Sequence, residues 1–207
     1  MTGAGRRPEA PIQVFYLVRH AEKLPSAADV GLSRRGREEA ELLAERIARK
    51  RPTALHSSPL VRARETADAI ARATGLQPAY DARLVERQLV REMLPDGEFK
   101  SAWTRSERDL DFAPEGGESS RAAGRRLAAV LEELAERGRG QRSVVVTHGG
   151  VIRDLLRDLS DRTAYVGAGS WDDVSIPSAS VTTVVQSVEG RWSVDEVGSV
   201  PDEWSAR

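Results

Sequence analysis

The chain has 207 residues, of which 40% are hydrophobic, so it can bury a substantial core, and one domain is the simplest interpretation. Its formal net charge of −1 argues against a generally basic nucleic-acid binder. The absence of cysteine excludes disulfides, thiolate chemistry and cysteine metal sites.

The N-terminal residues 1–11 are polar and are predicted to form a flexible tail rather than a signal peptide or a membrane anchor. No apolar run approaches the roughly 20 residues that are needed to span a bilayer. We therefore expect a cytoplasmic protein that binds neither nucleic acid nor membrane.

The first predicted element is the apolar stretch from Val14 to Val18, which leads directly into Arg19 and His20. Five consecutive apolar residues are typical of a strand that is buried on both faces. Such a strand cannot hold a guanidinium and an imidazole inside without partners, so both should emerge at its carboxyl end. That end is where open α/β sheets bind ligands.

Two helices and a strand are predicted next. Ser33 is a candidate N-cap for a helix that runs to about Lys50, and residues 53–56 read as a second strand. The sequence Ser57-Ser58-Pro59 then predicts a helix over residues 59–74, with proline at the first helical position and Gly75 after its end. An extended segment should follow, through Tyr80 and Leu84 to Glu86.

Residues 88–117 have no sustained hydrophobic period and are interpreted as a lid or a substrate wall. An excursion of this length is usually functional or partly helical. Phe99, Trp103 and Arg105 either line a substrate pocket or belong to a small hydrophobic cluster beneath the segment.

The last third of the chain continues the alternation of strands and helices. Ser119 should cap a helix to Arg137, and a third buried strand over residues 143–147 runs into His148. Gly149 and Gly150 open a further helix, and two extended runs near the C-terminus predict a β-hairpin, namely residues 180–188 and 191–197. The expected fold is α/β, a single-domain three-layer sandwich of a mainly parallel sheet, helices on both faces and a C-terminal β-hairpin over residues 12–207.

The three histidines of the chain all lie at or beside the end of a predicted strand, and three arginines lie near them in sequence. Because strand ends share one rim of a doubly wound sheet, these side chains should form an anion site suited to phosphate oxygens. The histidines are His20, His56 and His148, and the arginines are Arg19, Arg62 and Arg153.

Five segments, in the same order, resemble motifs of the histidine phosphatase superfamily, in the branch that includes phosphoglycerate mutase-like enzymes. They span about residues 14 to 156 and are Val18-Arg19-His20-Ala21-Glu22, Leu32-Ser33-Arg34-Arg35-Gly36, Ser57-Ser58-Pro59-Leu60-Val61-Arg62-Ala63-Arg64-Glu65-Thr66-Ala67, Gly117-Glu118-Ser119 and Val145-Val146-Thr147-His148-Gly149-Gly150.

The resemblance implies that His20 is the nucleophile of a phosphohistidine mechanism, kept neutral by neighbouring arginines. It implies that Arg19, Arg62 and His148 hold the phosphoryl group. Leu84-Val85-Glu86 looks like the family's Leu-x-Glu, so Glu86 is the candidate general acid and base. No metal or cofactor is implied.

Simpler roles compete with some of these. On position alone, Glu22 and Glu65 are rivals to Glu86, and Glu22 is also a candidate substrate-binding residue. Arg62 could be an ordinary helix-surface residue, and Arg153 could merely decorate its helix. His56 is interpreted as a structural or rim residue.

Two departures from the family pattern favour hydrolysis. The mutases carry Glu-Arg-His-Tyr-Gly where this chain reads Glu86-Arg87-Gln88-Leu89-Val90, and Lys23 replaces a small polar residue. We therefore expect a phosphomonoesterase acting on a small phosphorylated compound, with a phosphoprotein as a second class of substrate. A mutase and an inactive phosphate-binding module are the alternatives, and the sequence leaves the substrate and the oligomeric state open.

Overall fold

The computed structural model describes residues 12–26, 29–88, 96–138, 140–160, 165–166, 171 and 174–201. The predicted N-terminal tail lies outside this range. Within it, seven strands and five α-helices follow one another: β1 (Gln13–Arg19), α1 (Arg34–Arg49), β2 (Ala54–Ser57), α2 (Val61–Thr74), β3 (Pro78–Tyr80), α3 (Asp96–Arg108), α4 (Ser120–Arg137), β4 (Arg142–Thr147), α5 (Gly149–Ser160), β5 (Tyr165–Val166), β6 (Val181–Gln186) and β7 (Trp192–Ser199).

The strands form one sheet in the order β3-β2-β4-β1-β6-β7-β5. Strand β1 lies at its centre, parallel to β4 on one side and antiparallel to β6 on the other. Four of the six described strand pairs are parallel, and β6 with β7 forms the antiparallel hairpin. The expectation of a mainly parallel sheet with a C-terminal hairpin is confirmed.

Helices cover both faces of the sheet, as the continuous apolar strands predicted. Alternate residues of β1 point to opposite faces, so Phe15 and Leu17 pack with α4 and α5, whereas Tyr16 and Val18 pack with α1 and α2. The result is a three-layer α/β sandwich whose core is divided in two by the sheet. Among the described residues, no helix is both long and apolar enough to cross a membrane.

Local capping signals located two of the helices correctly. The Ser33 hydroxyl accepts the Gly36 N–H at 2.9 Å at the start of α1, and the Ser119 hydroxyl accepts the Ala122 N–H at 3.1 Å at the start of α4. Gly75 follows α2 with φ of +74°, a conformation that favours glycine.

The predicted start of α2 was wrong by two residues. The helix begins at Val61, with Leu60 as its N-cap residue, rather than at Pro59. The reason is tertiary, because the Ser58 hydroxyl interacts with His148 and the Val61 N–H is bound by the distant Asp29 carboxylate.

Two segments differ from the expected extended or irregular structure. Beyond β3, residues Ala82–Leu84 form a 3₁₀ turn capped by the Asp81 carboxylate, which accepts the Arg83 N–H at 2.7 Å. The 88–117 segment contains α3, so it is partly helical, and residues 89–95 lie outside the described part of the chain.

Candidate active site

Two of the three histidines predicted to lie at the site, His20 and His148, are neighbours at the carboxyl ends of β1 and β4. The parallel register pairs Arg19 with Thr147, so that His20 and His148 are the next residues on adjacent strands. Their ring centroids are 5.1 Å apart, at an interplanar angle of 62°. His56 lies further back, half-buried within β2, where burial lowers its pKa.

The ring of His20 is held in one orientation by both of its nitrogens. Nδ1 lies 2.8 Å from the Ala21 carbonyl oxygen, and Nε2 lies 3.2 Å from Nε of Arg62, an obligatory donor. These partners assign the proton to Nδ1 and a lone pair to Nε2. Nε2 is therefore the ring nitrogen that carries the lone pair, and it faces Arg62.

Burial lowers the pKa of His20 to about 3. The hydrogen bond to the Ala21 carbonyl opposes this shift, whereas the positive charges of Arg62, Arg19 and Lys23 add to it. The sequence argument attributed the neutral imidazole to the arginines, but desolvation is the larger cause. His20 is consequently uncharged at neutral pH.

Arg62 lies in the first turn of α2, next to an unexpected carboxylate. Its Nη1 is 3.3 Å from Oδ1 of Asp29, and both Asp29 oxygens accept the Val61 N–H, at 3.0 and 3.2 Å. The Thr66 hydroxyl links this turn to the β1 end by accepting the Ala21 N–H and donating to the Arg62 carbonyl. Asp29 had no periodic or motif signal in the sequence, because it lies in an irregular loop.

Arg19 packs closely against the glycine that begins α5. Its Nη1 donates to the Ile176 carbonyl at 2.5 Å, while its buried Nε has no hydrogen-bond partner among the described residues. A Cβ atom on Gly149 would lie 3.1 Å from both Cδ and Nε of Arg19. The glycine therefore allows the guanidinium to lie beside the histidine pair.

His148 is fully buried and binds the serine that follows β2. Its Nε2 is 2.9 Å from the Ser58 hydroxyl, and its Nδ1 has no partner in the described part of the chain. Burial lowers the pKa of His148 well below its ordinary value, and the neighbouring His20 is the second cause of this shift. A neutral ring is therefore available at the bottom of the site.

Glu86 lies at the N-terminus of α5. Its carboxylate accepts the N–H groups of Gly150 at 3.0 Å, Val151 at 2.8 Å and Arg87 at 3.0 Å. A Cβ atom on Gly150 would lie 2.6 Å from Oε1 of Glu86, so this glycine makes room for the carboxylate. The Arg126 guanidinium, which donates to the Val85 carbonyl at 3.1 Å, supports the same loop.

The two rival carboxylates are engaged elsewhere. Glu22 accepts the Ser33 hydroxyl at 2.6 Å, at the start of α1. Glu65 accepts the Leu32 N–H at 2.7 Å and packs against Gly31. Of the three candidates, only Glu86 lines the cavity described next.

A cavity of about 340 Å³ opens beside Arg19 and Glu86. Trp103 of α3 and Arg153 of α5 also line this cavity. Of the other two residues singled out in the 88–117 segment, Arg105 stacks on Phe112 at 3.9 Å from its ring centroid, and the Phe99 side chain lies outside the described residues. The full lining is Arg19, Glu86, Trp103, Gly149, Gly150, Arg153, Val174, Ser175 and Ile176.

Across the described residues, no group of three or more His, Cys, Asp or Glu side chains is arranged to hold a metal ion. Besides the carboxylates of Glu86 and Asp29, the polar groups that converge here are the guanidiniums of Arg19 and Arg62 and two neutral imidazoles. Such a set is suited to an anion with several oxygens.

Comparison with known proteins identifies the class. The sequence model of the histidine phosphatase superfamily (branch 1) matches residues 15–199. The chain therefore belongs to this superfamily.

Two curated relatives and one solved structure illustrate the similarity. The chain is 29% identical to the metal-independent phosphoserine phosphatase of Arabidopsis thaliana, over 93% of this chain and 84% of that protein. It is 35% identical to phosphoglycerate mutase-like protein 4 of the same organism, over 68% of each. The structure of a mycobacterial glucosyl-3-phosphoglycerate phosphatase with VO3 superposes with a TM-score of 0.76 at 26% identity, covering 90% of this chain and 99% of that one.

Proposed function

We propose that this protein is a metal-independent phosphatase that hydrolyses phosphomonoesters through a phosphohistidine on His20. Its family and the names of its relatives support phosphatase activity, and so a hydrolase. The observation that carries the finer proposal is the contact of His20 Nδ1 with the Ala21 carbonyl at 2.8 Å, which assigns the ring proton to Nδ1 and the lone pair to Nε2, beside Arg62.

In the first step, Nε2 of His20 attacks phosphorus and the bond between phosphorus and the leaving oxygen breaks. Arg19, Arg62 and His148 hold the phosphoryl oxygens as their charge grows. We assign this contact to Arg19 Nε and His148 Nδ1, because both atoms are buried and neither has a hydrogen-bond partner in the described part of the chain. Glu86 donates a proton to the departing alkoxide.

In the second step, water attacks the phosphohistidine. Glu86, now a carboxylate, takes a proton from the water as the nitrogen–phosphorus bond breaks. Inorganic phosphate leaves, and neutral His20 and protonated Glu86 are restored. We assign Glu22 and Glu65 to holding the loop before α1 and not to proton transfer.

A mutase is the second candidate, because one relative is named phosphoglycerate mutase-like. The position of Arg87 favours hydrolysis. Its guanidinium is buried and pairs with Asp154 at 3.2 Å and Glu107 at 3.3 Å, so it is committed to the protein interior rather than to retaining a product.

The test is phosphate release from 4-nitrophenyl phosphate by protein treated with a chelator, between about pH 5 and pH 8. We expect turnover that the chelator does not reduce. Transfer of phosphate between positions of a bisphosphate, in place of release, would support the mutase. Neither release nor transfer of phosphate from any phosphoester would contradict both and favour a phosphate-binding module.

Asp29→Asn should strengthen inhibition by inorganic phosphate. The Asp29 carboxylate binds Arg62 and the first N–H of α2, so it repels an incoming phosphate and competes with it for these donors. We expect the inhibition constant to fall about twofold to fivefold, as for the loss of one partly exposed charge interaction. Asp68→Asn, on the same helix but bound to Tyr80, is the control. An unchanged or higher constant in Asp29→Asn would contradict this role.

A further inference from the structure

The serine that follows β2 has a buried hydroxyl to which the proposed reaction gives no role. Oγ of Ser58 lies 2.9 Å from Nε2 of His148, and the Leu60 N–H donates to the same oxygen at 3.3 Å. The Ser58 N–H donates to the Val146 carbonyl at 2.9 Å, which continues the pairing of β2 with β4. The sheet register therefore fixes the position of this hydroxyl beside the imidazole.

The hydrogen bond to Ser58 decides the tautomer of His148. Because burial holds the pKa of His148 well below its ordinary value, the ring is neutral and has one N–H group and one lone pair. The partner of one ring nitrogen sets which of the two carries the proton. Within the described part of the chain, the Ser58 hydroxyl is the ring's one hydrogen-bond partner, since Nδ1 has none.

The number of protons shared by these groups distinguishes the two tautomers. A backbone N–H can only donate, so Oγ of Ser58 accepts from Leu60 and its own proton can go to a lone pair on His148 Nε2. If Nε2 carried the proton instead, Oγ would accept twice, and among the described residues its hydroxyl proton would have no acceptor. A buried donor without an acceptor is costly, so the first arrangement, with the ring proton on Nδ1, is favoured.

We propose that Ser58 is a positioning residue that holds the proton of His148 on Nδ1, so that this nitrogen donates to a phosphoryl oxygen. A lone pair at the same place would repel that oxygen, and the repulsion would increase as negative charge grows in the transition state. This inference rests on the proposed function, because the contact of Nδ1 with the phosphoryl group is part of that reaction.

The test combines ¹⁵N NMR of the imidazole nitrogens with kinetics in Ser58→Ala. In the wild type, His148 should show a protonated Nδ1 and an unprotonated Nε2, with its signals assigned by removing the other two histidines in His20→Ala and His56→Ala. In Ser58→Ala, the proton should move wholly or partly to Nε2. The value of kcat/KM for 4-nitrophenyl phosphate should fall about 10- to 100-fold, mainly through kcat, as for the loss of one hydrogen bond to a charged group.

Ser57→Ala is the matched control. Ser57 is the preceding residue and is equally buried, but its hydroxyl donates to the Ser58 carbonyl at 2.9 Å and not to the ring. This variant should keep the wild-type tautomer and change kcat/KM less than about threefold. Ser58→Thr keeps the hydroxyl and should restore both properties, whereas Ser58→Cys, with a weaker donor, should give an intermediate population of the Nδ1–H tautomer.

Three results would overturn the role of Ser58: a wild-type His148 protonated on Nε2, an unchanged tautomer in both Ser58→Ala and Ser58→Cys, or equal changes in Ser57→Ala. Because the tautomer is measured without substrate, these results leave the phosphatase proposal standing if the wild type turns over. Conversely, a tautomer that shifts in Ser58→Ala, together with weaker binding of inorganic phosphate by calorimetry, would support Ser58. A wild type without turnover would then contradict only the phosphatase.

Discussion

His20→Ala should reduce turnover of 4-nitrophenyl phosphate by about 10⁴-fold or more, because it removes the atom that forms the covalent intermediate. The measurement is initial-rate kinetics, combined with trapping of radioactive phosphate on the protein after an alkaline quench. The wild type should carry acid-labile label and His20→Ala should carry none. The neutral state expected from the pKa of about 3 also means that protonation of His20 should not limit kcat/KM between about pH 5 and pH 8.

His56→Ala is the matched control for this loss. His56 is also a partly buried histidine on a strand of the sheet, but it lies within β2 and away from the histidine pair. Its replacement should leave the trapped intermediate intact. Label that persists in His20→Ala, or equal losses in the two variants, would assign the nucleophile to another residue.

Glu86→Gln should slow the first turnover of alkyl phosphates about 10²- to 10⁴-fold, while 4-nitrophenyl phosphate should lose less than about tenfold. An alkoxide is a poor leaving group that requires a proton, whereas 4-nitrophenolate leaves without one. The amide keeps the size of the side chain and an acceptor for the α5 N–H groups. Rapid-quench measurement of the first turnover isolates this step from the later attack by water.

Glu65→Gln and Glu22→Gln provide the comparison, because each replaces a rival carboxylate that binds the segment leading into α1. Neither should show a dependence on the leaving group. Equal losses on alkyl and aryl phosphates in Glu86→Gln would remove Glu86 as the acid. A leaving-group dependence in either control would transfer that role to it.

The outline of the fold was predictable because its signals are local. A buried strand needs a continuous apolar run, such as that from Val14 to Val18, and a helix start needs a cap within three residues, such as Ser33. The start of α2 was misplaced for the opposite reason, since its first N–H group, that of Val61, is bound by Asp29, which lies 32 residues away in sequence. Helix α3 contributes Trp103 to the cavity wall, a contact that no local pattern in this segment indicated.

The candidate site was also predictable only in part. The chain order and types of His20, Arg62 and His148 were enough to predict a phosphate site, because parallel strands deliver their ends to one rim. Tertiary packing determines which carboxylate faces that rim. The Glu86 carboxylate accepts two N–H groups of α5 and occupies space that a side chain on residue 150 would fill.

The amino-acid order thus specified most of the strands and the caps of α1 and α4, which depend on neighbours along the chain, and it pointed to His20 as the candidate nucleophile. Only the three-dimensional arrangement separated Glu86 from its rivals Glu22 and Glu65, introduced Asp29 beside Arg62 and placed Arg153 in the cavity wall. These features depend on hydrogen bonds and charges between residues that are far apart in sequence, and no local pattern records such distances.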